Sequence, residues 1–344
     1  MRVLMYYNNS DVRVEEMPVP KIGPGELLVK VRATGICGSD VMEWYRIKKA
    51  PKVLGHEMTG EIVEVGEGIE KYKVGDRVFV SHHVPCNICE YCLNGYQTAC
   101  ETLHSTNYDP GGFAEYIRIP RINVENNGVY LLPDAMSYEE GTFIEPLACV
   151  IRGQKLAQLK PGQTVMVVGS GISGLIHISL ARALGAGKII ATDITEYRLD
   201  AAKRLGADVV INAKDNVQKL LHDANDGKLA DLVIVCSGAL SASVEALKYV
   251  ERGGTVLYFA VPGPEETVPV PMNDLWRNEI KLMTSYGAGP FDLDEAMDLL
   301  SSRKVVLNDM ITHRLDFDEG PRGFELVAGA QDSIKVIFEL NKSK

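Results

Sequence analysis

The spacing of apolar residues changes rhythm near residue 160. Before that point, short runs alternate apolar and polar positions with period two, as strands with one buried face do. ELLVKVRATGI (26–36), GEIVEVGEGI (60–69) and VGDRVFV (74–80) read as such strands, with glycine turns beside them. Pro and Gly recur at short intervals, which predicts a β-rich barrel or sandwich. Beyond 160, continuous apolar runs replace the alternation, as in parallel strands buried on both faces. TVMVVG (164–169), KIIATD (188–193), DVVI (208–211), DLVIVCSG (231–238), GTVLYFA (254–260) and IKLMTSY (280–286) are six such strands. Segments with helical spacing separate most of them, including 172–186 and 196–207. The fold class is therefore α/β, with a doubly wound parallel sheet carrying helices on both faces. A helix at 291–304 and a strand at 333–340 form a tail that could return to the first region.

At roughly 150 residues per domain, 344 residues make about two domains. A hydrophobic share of 46% with 24% charged residues is that of a packed chain, not a disordered one. Thirty-six basic against 46 acidic residues leave a net charge of −10, which excludes diffuse attraction to nucleic acid or anionic membranes. No Lys/Arg run is expected to create a local basic patch. No apolar stretch is long enough to span a bilayer, and the start lacks a signal-peptide core, so a cytoplasmic location is expected.

Four of the seven cysteines, Cys86, Cys89, Cys92 and Cys100, form C-x2-C-x2-C-x7-C. Four soft thiolates in one tight loop suit tetrahedral zinc with no open position, a structural site. An iron–sulfur cluster is the rival, although Glu101 stands where a ferredoxin-type site has proline after its last ligand. A second donor set is dispersed: Cys37 in GICGSD, His56 and Glu57 in LGHEMTGE, and Glu145 in FIEPLACV. Thiolate, imidazole and carboxylate can hold zinc with a position left for substrate. Each residue also has a plain alternative, Cys37 as an apolar filler and the carboxylates as solvated or capping groups.

GSGISG (169–174) is a G-x-G-x-x-G loop between a strand and a helix. Gly169 suits the tight turn, Gly171 the approach of a pyrophosphate and Gly174 close packing of helix on strand. The loop residues Ile172 and Ser173 open the helix, whose N-terminus attracts phosphates. Asp193, nineteen residues after Gly174, can accept from both ribose hydroxyls and would repel a 2′-phosphate, favouring NAD over NADP. Arg198 keeps the second coenzyme open.

These motifs together, with VGDRV, CNICEYCLNGYQTAC, GGFAEY and FIEPLA, resemble the zinc-containing medium-chain dehydrogenase/reductase family over nearly the whole chain. Glu145-Pro146 looks like the polyol branch, which includes sorbitol and L-threonine dehydrogenases. The resemblance implies a GroES-like catalytic domain at 1–150 and 287–344, with a Rossmann NAD-binding domain at 151–286. It implies Cys37, His56 and Glu145 as ligands of a catalytic zinc, with Glu57 alternating or behind them. It also implies Ser39 as the group that hydrogen-bonds the substrate hydroxyl and starts a proton relay, and a homotetramer or homodimer. Where many members have the next relay histidine, this chain has Met42. Proton exit is then left to water, Asp40, Glu43 or a ribose hydroxyl.

The resulting expectation is a zinc- and NAD-dependent oxidation of a secondary alcohol of a polyol, cyclitol or sugar. Alternatives are an L-threonine-type amino-alcohol dehydrogenase, a zinc-free NAD(P)H-binding non-enzyme and a reductase of activated double bonds. His82 and His83 are expected to be an exposed loop pair. Glu139 and Glu140 are expected to face solvent at a helix start, and His177 to pack on the first helix of the parallel sheet. Trp44 and Tyr45 either shape the substrate pocket or simply pack.

Overall fold

The computed structural model describes residues 1–330 and 332–340. The chain forms two compact units. One comprises Met1–Ala148, Ala288–Arg303 and the chain from Leu307 on; the other comprises Cys149–Gly287 with Lys304–Val306. The chain passes from the first to the second within the helix Ile144–Leu156.

In the first unit, the strand Leu27–Gly35 is central to a seven-stranded sheet. It pairs antiparallel with Glu57–Val65 on one side and with Lys335–Glu339 on the other. The strand read from residue 60 in fact begins at Glu57, because Glu57 pairs with Gly35 and Met58 with Thr34. The C-terminal tail returns to this unit, with Ile337 opposite Gly35. A parallel strand Ile311–Asp316 and a helix Gly320–Gly329, neither signalled by the apolar pattern, complete the tail. A small sheet, Arg2–Asn8 between Asp11–Glu16 and Lys52–Val53, lies beside it. The core gathers residues distant in sequence, among them Tyr6, Met58, Phe113, Phe324 and Phe338, all at most 1% exposed. Burying aromatic and aliphatic groups of this size is the main force that fixes the strand register.

In the second unit, six strands run parallel in the order Val209–Asn212, Lys188–Asp193, Thr164–Val168, Ala230–Val235, Val250–Tyr258, Lys281–Thr284. The chain reverses direction across the sheet between Thr164–Val168 and Ala230–Val235, the switch point at which such sheets bind ligands. Val165, Met166 and Val167 are wholly buried, which explains their unbroken apolar run.

Candidate functional site

The register of Gly35 with Glu57 dictates the geometry of the first unit's site. Cys37, two residues beyond Gly35, meets His56, the residue before Glu57. The donor atoms of Cys37, His56 and Glu57 all lie within 4.8 Å of one another. Cys37 caps a short 3-10 helix at 38–41, and its Sγ accepts from the Ser39 amide at 3.5 Å. Asp40 is fully buried beneath this turn, accepting from the Cys37 amide at 3.1 Å and facing His56 Nδ1 at 3.4 Å. That carboxylate orients the imidazole and leaves Nε2 for a ligand, the usual arrangement behind a metal-bound histidine.

The charges follow. Burial would raise the Asp40 carboxyl, but His56, Arg46 and the Cys37 amide outweigh it and hold it below its ordinary value. Asp40 therefore stays ionised and is a poor carrier of substrate protons. Burial would lower His56, but Asp40 and Cys37 hold it well above its ordinary value. Glu57, 2% exposed, forms an ion pair with Lys335, which is itself 1% exposed. Gly35 makes room for that pair, since a Cβ there would lie 2.5 Å from Lys335 Nζ and 2.6 Å from Glu57 Oε2.

Three expected residues, His82, His83 and Glu140, fall differently, and Glu145 stands beside the compact group. Glu145 is the second residue of the helix Ile144–Leu156 and lies outside the 4.8 Å group, whereas Glu57 lies inside it. It still reaches the same neighbourhood: after burial, the charges of Asp40, Glu145 and Glu57 hold the Tyr108 phenol well above its ordinary value. His82 and His83 are not an exposed pair. Their ring centroids lie 3.8 Å apart with the planes tilted by 48°, and the His82 centroid lies 5.0 Å from that of His56. Burial, then the neighbouring imidazoles, pushes His82 well down and His83 to about 4, so both are neutral near neutral pH. Glu140 is not solvated either. It is 5% exposed, closes a capping box with Ser137 and pairs with Arg303, while Glu139 takes Arg314.

Arg46 was not signalled by any motif. Its Nη2 donates to Ser39 Oγ at 3.0 Å and its Nε to Ser39 O at 2.9 Å. A third contact runs to Asp40 at 3.4 Å, and the guanidinium lies over the Tyr45 ring at 4.7 Å. Glu43, named as a relay option, instead accepts from the Asn9 amide at 3.1 Å.

The cysteine loop is built from local chain. Cys89 and Cys92 sulfurs are 3.5 Å apart and those of Cys86 and Cys100 are 3.6 Å apart. Zinc–sulfur bonds of about 2.3 Å give a tetrahedral edge of about 3.8 Å, so all four thiols fit one ion. Amides support the thiolate form, with Cys89 N donating to Cys86 at 3.3 Å and Cys86 N to Cys100 at 3.4 Å. Burial would raise Cys100, but donors from Cys86 and Leu103 bring it down to about 6.

In the second unit, Gly169 has φ +95° and a Cβ on Gly174 would collide with the Gly169 carbonyl, so both positions demand glycine. A Cβ on Gly171 would meet only Arg198, at 3.8 Å, which leaves the backbone open to a phosphate. Gly171 begins the helix Ile172–Ala183 with no side-chain cap. Asp193 ends its strand 7% exposed, one oxygen accepting from Ser170 N at 2.9 Å and the other from Thr195 N at 3.0 Å. This geometry fits a dinucleotide: an open amide-lined turn followed by a fixed carboxylate.

Comparison with known proteins agrees with this construction. Residues 23–129 match the alcohol dehydrogenase GroES-like domain, and residues 171–302 match the zinc-binding dehydrogenase domain. The chain belongs to the zinc-containing medium-chain dehydrogenase/reductase family, in its polyol branch. It is 36% identical to sorbitol dehydrogenase of Bacillus subtilis, the match covering 93% of this chain and 91% of that protein. It is 34% identical to the probable D-xylulose reductase A of Aspergillus clavatus, over 93% and 94% of the two chains. The solved alcohol dehydrogenase TADH from Thermus sp. ATN1 superposes with a TM-score of 0.88 at 32% identity, covering 99% of this chain and all of that one. The protein is thus a zinc- and nicotinamide-dependent oxidoreductase acting on a small-molecule alcohol, with a GroES-like domain and a Rossmann domain.

Proposed function

We propose that the protein oxidises a secondary hydroxyl of a polyol, cyclitol or sugar, or reduces the matching ketone, with NAD as hydride acceptor. The observation that carries this reading is the convergence of Cys37, His56 and Glu57 within 4.8 Å, one turn from Ser39. Cys37, His56 and one of Glu57 or Glu145 would hold the catalytic zinc, and Cys86, Cys89, Cys92 and Cys100 the structural one. Zinc in such an open site supplies Lewis acidity that lowers the pKa of an alcohol. Gly169, Gly171, Ile172, Ser173 and Gly174 would face the coenzyme phosphates, with Asp193 on the ribose and Arg198 beside it.

The chain's own residues set up the proton step. Arg46 occupies one lone pair of Ser39 Oγ, so that hydroxyl can donate its hydrogen onward while its other lone pair accepts from substrate. The adjacent guanidinium lowers the cost of negative charge on Oγ. Met42 carries no proton, and Asp40 is held ionised by three partners, so the proton leaves Ser39 through water or a ribose hydroxyl. His82 and His83 stay uncharged near neutral pH and do not compete for that proton.

The sequence-derived domain limits, 1–150 with 287–344 and 151–286, a cytoplasmic location and a homotetramer or homodimer belong to the same reading. The test is NADH formation across polyols, inositols, aldoses, L-threonine and simple alcohols, with NAD and NADP, before and after chelation. A chelator-sensitive, NAD-linked polyol oxidation is expected. Turnover confined to L-threonine would move the substrate to the amino-alcohol alternative, and turnover that survives complete zinc removal would overturn the mechanism.

A further inference from the structure

Against a chain of net charge −10, residues 46–52 read RIKKAPK, with four cations and no carboxylate. This departs from the expectation that no Lys/Arg run creates a local basic patch, and the run's first residue, Arg46, contacts Ser39 and Asp40 beside Cys37. Arg46 is held rigidly by Ser39 O, Ser39 Oγ, Asp40 and the Tyr45 ring, with its side chain only 16% exposed. Among the described residues its Nη1 makes no hydrogen bond. Lys52 is half-buried on the short strand beside Tyr6 and, among the described residues, has no carboxylate within 4.0 Å. Arg46 and Lys49 share the Tyr45 ring, their cations 4.7 and 5.6 Å from its centroid, and burial, then the charges of Lys49 and Arg46, lowers the Lys52 pKa. Two carboxylates belong to this neighbourhood. Asp40 is fully buried and shared among Arg46, His56 and the Cys37 amide, and Glu43 is turned to Asn9.

Partly buried cations that repel one another are costly unless an anion completes them. A guanidinium locked in place with a spare donor is suited to a carboxylate or phosphate. A neutral polyol offers Lys52 hydroxyl oxygens as acceptors but no negative charge to balance it. We propose that the natural substrate is an anionic secondary alcohol, whose carboxylate or phosphate group is bound by Arg46 and Lys52 while its hydroxyl meets Ser39. This inference rests on the reading above and narrows its substrate class. It also gives the site polarity: the hydroxyl that is oxidised is the one placed at Ser39 when the charged end reaches Arg46.

The test compares xylitol, D-xylonate and xylitol 5-phosphate on the full-length, zinc-loaded enzyme with saturating NADH, reading binding by titration calorimetry and turnover separately. One of the two anions is expected to bind about tenfold or more tighter than xylitol, the ordinary worth of a charge-assisted contact. The two anionic probes distinguish carboxylate from phosphate. Arg46→Gln should bring the preference to within about twofold, and Lys52→Gln should remove part of it. Equal binding of all three probes by the wild type would overturn the proposal. So would an Arg46→Gln variant that weakens all three alike, making Arg46 only a clamp on Ser39, or one that loosens NADH instead. If Arg46→Gln does not fold, Lys52→Gln carries the test, and an unchanged preference overturns the proposal. Binding decides this inference and turnover decides the reading on which it rests. An enzyme that prefers the anion yet oxidises none of the probes would refute only the latter.

Discussion

The cysteine loop and the dispersed Cys37 site solve the same problem in opposite ways. The loop brings four identical donors together within residues 86–100, using turns and backbone amides and no distant part of the chain. The dispersed site draws on Cys37, on His56 and Glu57, and on Lys335, joined only by the strand registers Gly35 with Glu57 and Gly35 with Ile337. The loop's four thiols satisfy one another's geometry and leave no room for substrate. The dispersed site offers donors of three kinds, one of which is already taken by a lysine. Saturation marks a group that holds structure, and an incompletely committed donor set marks a group that does chemistry.

The largest effect separating the two is expected at the loop. Cys92→Ser should cost on the order of 5 kcal/mol or more of the roughly 10–16 kcal/mol that a structural zinc contributes in small domains. Metal content should fall from two ions to one, and thermal unfolding should begin well below that of the wild type. A variant that keeps both its second zinc and its melting temperature would break the comparison.

The next effect lies at Lys335. Lys335→Met leaves the Glu57 carboxylate buried and unpaired, an arrangement that costs about 3–5 kcal/mol. Adding Glu57→Gln should recover most of that loss, because the uncompensated charge is then gone. Excess zinc should also stabilise the single variant, since an ion at Cys37 and His56 can take up the freed carboxylate. Denaturant unfolding with and without zinc checks all three statements. If the single variant is as stable as the wild type, Glu57 is not held by Lys335 in the way the geometry describes.

The smallest effect is a control in the second unit, at a residue that belongs to neither donor set. His177 is fully buried, bonded at Nδ1 by Gln154 at 3.1 Å, and burial pushes its pKa down to about 3. The unfolded chain takes up a proton near pH 6.5 that the folded chain refuses, so acid favours unfolding. Stability therefore falls as pH drops from about 6.5 toward 3, with about 1–2 kcal/mol already lost at pH 5. In His177→Leu that portion of the pH dependence should vanish, as read from denaturant midpoints at pH 7 and pH 5. An unchanged slope would mean that His177 titrates normally in the folded chain.

The sequence was most readable where chemistry is local. The cysteine spacing, the G-x-G-x-x-G loop and the six apolar runs each carry their meaning within a few residues, and the strands lie where those runs are. The dispersed site was only partly readable. Cys37, His56, Glu57 and Glu145 stood out by motif, and the compact group holds the first three. That outcome depends on Lys335 and on a register set by core packing far from either residue. The strand Ile311–Asp316, the burial of Glu140 and the inward turn of His82 and His83 were missed for the same reason. Polar residues are taken inside by distant partners, and no local pattern announces those partners. Arg46 was different. Its basic neighbours were visible in RIKKAPK, a signal that the overall acidity of the chain concealed.

The central claim is that the two donor sets hold two metals with separate duties. Stepwise chelation tests it most directly, with zinc content, far-UV circular dichroism and NAD-linked turnover followed in the same samples of wild type and Cys37→Ser. The account predicts that the first zinc to leave takes essentially all turnover with it while the fold stays intact. Cys37→Ser should already lack that zinc, show turnover reduced by at least about a thousandfold, and unfold with the wild type when its remaining zinc is stripped. Turnover that persists after the first zinc is gone, or that is lost only as the protein unfolds, would contradict it.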